Sequence, residues 1–68
     1  MEISARNQFK GTVKSIVTGG VMAEVTLDIE NGQEIVSVIT KASAERLGLA
    51  SGVEVIALIK SSEVLLAR

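Results

Sequence analysis

Cysteine, histidine, proline, tryptophan and tyrosine are all absent from this sequence, and Phe9 is its one aromatic residue. Each absence excludes chemistry. Without Cys or His the chain cannot build a thiolate or imidazole zinc site, a haem ligand set, a thiol nucleophile or a His-based triad. Lack of cysteine also removes the disulfides on which small secreted domains lean, so an intracellular, cytoplasmic setting is expected. Long apolar runs are missing as well, and no charged leader precedes an apolar stretch. Neither a signal peptide nor a membrane span is expected. Seven Lys plus Arg against eight Asp plus Glu leave a net charge of -1, so no broad field draws in nucleic acid or anionic lipid.

What is present is apolar and short. The 68 residues are 47% hydrophobic, with a mean hydropathy of +0.43. Residues 1–68 read as one domain. A domain of this size buries only about 60% of the surface that its unfolded chain exposes. With disulfides absent and thiolate or imidazole metal sites excluded, the remaining remedy is association, and a homo-oligomer is expected.

Glycine supplies the punctuation, at Gly11, Gly19-Gly20, Gly32, Gly48 and Gly52. Between the glycines, nine Val, seven Ile and four Thr favour strand over helix. In the first segment, Ser4 to Val17, the apolar residues Phe9, Val13 and Val17 recur at even spacing, with Gly11 as a bulge or bend. Gly19-Gly20 reads as a turn. Val21, Ala23, Val25, Leu27 and Ile29 then alternate with Met22, Glu24, Thr26, Asp28 and Glu30, a two-residue period that predicts a half-buried strand. Asn31-Gly32 is a hairpin signal. The return strand, Gln33 to Ile39, is apolar on both sides near its end, which predicts cover on both faces. Thr40 to Gly48 reads as one or two helical turns, with Thr40 or Ser43 as N-cap and Gly48 at C′. Val53 to Lys60 and Glu63 to Ala67 complete five strands. The expected fold is mainly β, a five-stranded OB-type barrel with one short helix between strands 3 and 4.

Three short motifs attract oxyanions. Ser4-Ala5-Arg6-Asn7-Gln8 opens the first strand, where Ser4 and Arg6 share a face. Lys60-Ser61-Ser62 joins the last two strands. Thr40 and Ser43 flank the start of the helix, where backbone N–H groups lack helical partners. Arg offers a planar fork of donors, Lys a point charge, and the hydroxyls neutral donors that rotate to fit. No carboxylate lies within these motifs. The same hydroxyls also serve as ordinary helix caps, and Lys60-Ser61-Ser62 is equally a polar turn. Glu24, Asp28 and Glu30 read as the solvated face of an amphipathic strand. No general acid–base pocket or phosphate loop is evident, so no enzyme is expected.

Ser4-Ala5-Arg6-Asn7-Gln8 followed by Gly11-Thr12-Val13 resembles the N-terminal signature of the molbindins, also called Mop or molybdenum-pterin-binding proteins. Val21 to Leu27, Ile39-Thr40 leading to Ser43 and Leu47-Gly48, and Val55 to Lys60-Ser61 agree with the same family. The resemblance spans essentially the whole chain. It implies an OB-type barrel that binds molybdate, and also tungstate, as an intact oxyanion. It implies hexamers, as trimers of dimers, with ligands at subunit interfaces, and a second kind of site near the threefold axis. Carried over by position, the implied ligand set is Ser4, the backbone of Ala5, Arg6, Thr40, Ser43, Lys60 and Ser61. Molybdenum would enter as molybdate, for storage or homeostasis, not as a bare cation. Two alternatives stand beside this one: an OB-type module for single-stranded nucleic acid, and a purely structural oligomerisation module. One Phe and near-neutral charge argue against the first, because such surfaces use aromatic stacking in a basic groove.

Overall fold

A computed structural model describes residues 1–68. It contains four strands, β1 (Asn7–Thr18), β2 (Met22–Asp28), β3 (Glu34–Thr40) and β4 (Glu54–Ile59), with helix α1 (Lys41–Arg46) between the third and fourth. All neighbours are antiparallel, in the order β3-β2-β1-β4. The offset pairing of β1 curls the sheet. Its first half, Asn7 to Thr12, pairs with β4, and its second half, Thr12 to Thr18, pairs with β2. The result is the mainly β, OB-type arrangement expected from the sequence.

The alternating segment behaves as its period requires. Ala23, Val25 and Leu27 of β2 are all buried; Val25 and Leu27 cluster with Val13 of β1, and Ile16, Ile39, Leu49, Val55 and Ala57 pack around that centre. On β1 the expected even spacing fails. Val13 is buried, but Phe9 and Val17 are 40% and 67% exposed. The register shifts between Val13 and Ser15, so Lys14 is the bulged residue and Ile16 takes the inward position that Val17 would have held. The bulge falls at Lys14 and not at Gly11, where the space around the backbone is what demands glycine. A Cβ there would stand 2.9 Å from the Asp28 carbonyl oxygen and 3.1 Å from Ile29 Cγ2. Glycine lets the start of β1 lie close to the end of β2.

The turns follow their sequence signals. Asn31 and Gly32 have φ of 64° and 73° in a 3-10 turn between β2 and β3. Thr40 caps α1, and Gly48 follows the C-cap Leu47 with φ of 65°. The helix rests on β2 and β3.

Two expectations need correction. Only one face of β3 is covered: Ile35 and Ile39 are half-buried, whereas Val36 and Val38 are 56% and 63% exposed. The predicted fifth strand, Glu63 to Ala67, does not form within the chain. Ser61–Glu63 makes a 3-10 turn instead, and Leu65 and Leu66 project with 92% and 93% of their surface exposed. The 3-10 turn follows β4 directly, and the residues after it pair with no strand of their own sheet.

Gly11→Ala forces the two strand backbones apart and should destabilise the protein by about 1–3 kcal/mol. Gly20→Ala, where nothing lies within 4 Å of the added Cβ, should stay within about 0.5 kcal/mol of wild type. Urea unfolding of both variants checks the difference.

Candidate functional site

The ladder between β1 and β4 ends at the pair Asn7–Ile59. One residue beyond this last rung stand Arg6 on one side and Lys60 on the other. Both are exposed, and neither has a carboxylate partner, since the ion pair of this chain joins Lys14 to Glu34 elsewhere on the sheet. There, the hydrogen bond to Glu34, and then the charges of Glu34 and Asp28, hold the Lys14 ammonium above its ordinary range. At the corner of the sheet, Arg6 and Lys60 are instead two like charges, neither held in an ion pair. Ser4 and Ser61 flank them as exposed hydroxyls. Ser4 and Arg6 precede β1 in a bend, so they do not share a strand face as expected.

Two side-chain bonds hold this corner. Gln8 Nε2 donates to the Ala5 carbonyl at 2.7 Å, closing a local loop around Ala5 and Arg6. Asn7 Nδ2 donates across the strands to the Ile59 carbonyl at 3.1 Å.

The other two predicted residues are organised by α1. Thr40 Oγ1 accepts from the Ser43 N–H at 3.0 Å and donates to Ser43 Oγ at 2.8 Å. Arg46 Nη2 donates to the same Ser43 oxygen at 2.9 Å. The two hydroxyls therefore have different roles. Thr40 is a cap whose proton is already committed. Ser43 accepts twice, which fills its lone pairs and leaves its own proton free to be donated outward.

Within one chain the seven predicted residues form two groups. Ser4, Ala5, Arg6, Lys60 and Ser61 gather at the start of β1 and the end of β4. Thr40 and Ser43 lie next to Met22, beside the other end of β1. A twelve-residue strand separates the groups, roughly 35 Å long if straight. The chain does not join them.

The TOBE domain family matches residues 3–66. Molybdenum-pterin-binding protein 1 of Clostridium pasteurianum is 47% identical over 66 residues, which make up 97% of this chain and 97% of that protein. This chain is a molbindin. It is also similar to the molybdenum transport protein ModE of Azotobacter vinelandii, 56% identical over 66 residues, although it spans only 24% of that protein's length. Among solved structures, a molybdate-binding protein from Sporomusa ovata superposes with a TM-score of 0.94 at 43% identity, and each chain is covered completely.

Sequence reasoning missed three residues that shape the two groups: Asn7, Gln8 and Arg46. Asn7 and Gln8 lie inside the signature block, but their partners are backbone carbonyls, which no residue type advertises. Arg46 had a readable signal, because it lies three residues after Ser43 on a helix and so on the same face.

Thr40→Ala should cost about 1 kcal/mol through loss of the cap, and Thr40→Ser should recover it. Ser43→Ala leaves the capping bond to Thr40 in place and should change stability by less than about 0.5 kcal/mol. Chemical denaturation separates the cap from the outward donor.

Proposed function

We propose that this molbindin binds molybdate, and tungstate in its place, as an intact tetrahedral dianion, and that it stores the ion inside the cell without performing a reaction on it. The observation that carries this reading is the placement of Arg6 and Lys60 at one corner of the sheet, neither of them in an ion pair. Two unpaired cations side by side repel each other, and a dianion turns that repulsion into attraction. Hydroxyls and main-chain N–H groups can complete the shell, and no cation ligand set of acidic residues competes with it. The molybdenum-related names of the relatives point the same way. For the intracellular setting, the support is the lack of cysteine in so small a chain.

In this reading Ser4, the backbone of Ala5, Arg6, Lys60 and Ser61 come from one subunit, and Thr40 and Ser43 from another. The protein is then a homo-oligomer, in the family's manner a hexamer built as a trimer of dimers. The apolar surface left open on the single chain favours association: Val36 and Val38 on β3, Leu65 and Leu66 beyond β4, and the groove lined by Leu47, Leu49, Val55, Ile56 and Leu58. An ion held between subunits stabilises the assembly that completes its shell. Selectivity against sulfate rests on size, because charge and shape are alike. The nucleic-acid alternative is not favoured, since Phe9 offers a single stacking face where such modules present several.

Calorimetric titration with molybdate, tungstate and sulfate is the direct test, with heat expected from the first two and much weaker binding of sulfate. Arg6→Ala should weaken molybdate binding by at least about tenfold while the barrel stays folded, given that a charge-assisted hydrogen bond contributes about 1.5–3 kcal/mol. Wild-type protein that gives no heat with molybdate would refute the reading. Light scattering should find an oligomer, and a stable monomer that still binds would exclude a site shared between subunits.

A further inference from the structure

We infer that Asn7 is a positioning residue for the bound oxyanion, acting through the spacing of Arg6 and Lys60; the inference rests on the function proposed above. Asn7 is half-buried, while its neighbours Arg6 and Gln8 are exposed. Its backbone forms the last rung of the ladder with Ile59. Its side chain adds a second tie at that rung, donating Nδ2–H to the Ile59 carbonyl at 3.1 Å. The Ile59 carbonyl lies in the peptide that leads directly into Lys60. The amide thus joins the residue after Arg6 to the residue before Lys60.

A ladder end needs such a tie here. Terminal rungs fray, because they are held from one side only and are open to water. At this end the next residue on each side is a cation, and like charges facing one another do nothing to close the pairing. Neither cation is held in an ion pair. The Asn7 amide closes the rung with a neutral donor. It therefore adds no charge that would compete with an incoming anion, as a carboxylate would.

The consequence is preorganisation. With the rung closed before the ion arrives, the two cations already stand at a fixed separation, and binding does not have to order them. A fixed separation also reads the size of the ion. A frayed corner could close on sulfate as readily as on the larger molybdate, so loss of the tie should reduce discrimination as well as affinity.

The test compares wild type with Asn7→Leu, which keeps the shape of the side chain and removes the donor, and with Asn7→Gln, which keeps an amide donor on a longer arm. Each protein is titrated with molybdate and with sulfate, and its urea midpoint and light scattering are recorded. Asn7→Leu should bind molybdate about tenfold more weakly and show a smaller molybdate-to-sulfate affinity ratio, with oligomeric state unchanged. Asn7→Gln should regain part of both losses. Should Asn7→Leu fail to fold, Asn7→Ser, too short to reach the Ile59 carbonyl, carries the same expectation. An unchanged ratio in the donor-less variant overturns the inference, whether affinity is retained or falls equally for both anions. A wild type that binds neither anion sinks the oxyanion reading itself, whereas a binding wild type with indifferent Asn7 variants sinks the positioning role alone.

Discussion

The two-sided pairing of β1 is the constraint from which the rest of the fold follows. One strand serves β4 with its first half and β2 with its second, and it can do so only because the chain bends and changes register along its length. The bulge at Lys14 turns Ile16 inward, and the missing side chain at Gly11 lets the end of β2 approach. The small core of Val13, Val25 and Leu27 forms where the two pairings meet. The same strand also separates the chemistry. The cationic corner lies at its beginning, and the capped hydroxyls lie beside its end, so one chain presents two dissimilar groups of donors.

Electrostatics and hydrogen bonding divide the work between these groups. The corner at Arg6 and Lys60 supplies charge but little order of its own, and neutral amides from Asn7 and Gln8 fix its backbone. The region around α1 supplies order and a single directed proton. Six residues of helix would be marginal in isolation; packing on β2 and β3, the Thr40 cap and the turn at Gly48 hold it in place.

Much of this was legible in the sequence. The period of Val21 to Glu30 identified β2 and its buried face, Asn31-Gly32 identified the hairpin, and Thr40 and Gly48 bounded the helix. Those features are local, and each residue type carries its own conformational reason. Features that depend on partners distant in sequence were misread. The inward face of β1 depends on a bulge whose position is set by pairing with β2, so even spacing chose Val17 where the fold uses Ile16. The segment after Lys60 is apolar enough for a strand, but a strand needs an edge to pair with, and composition does not say whose. At the site, the residue types named the anion chemistry, while the roles of Asn7 and Arg46 depended on contacts that only the folded chain displays.

The crowded oxygen of Ser43 carries one more consequence. A hydroxyl whose lone pairs both receive protons, from Thr40 and from Arg46, can give a proton but cannot accept another. Arg6 and Lys60 are likewise donors without acceptor capacity. In the proposed shell these three side chains therefore meet the ligand with hydrogens alone, while the hydroxyls of Ser4 and Ser61 keep both capacities. Such a surroundings suits an ion that is oxygen on every side. Monohydrogen phosphate has the same charge but carries an O–H of its own, and at any of these three donors that O–H would find no acceptor, where the missing hydrogen bond costs about 1–3 kcal/mol. At these three positions the fold favours an ion without a proton over one that carries it.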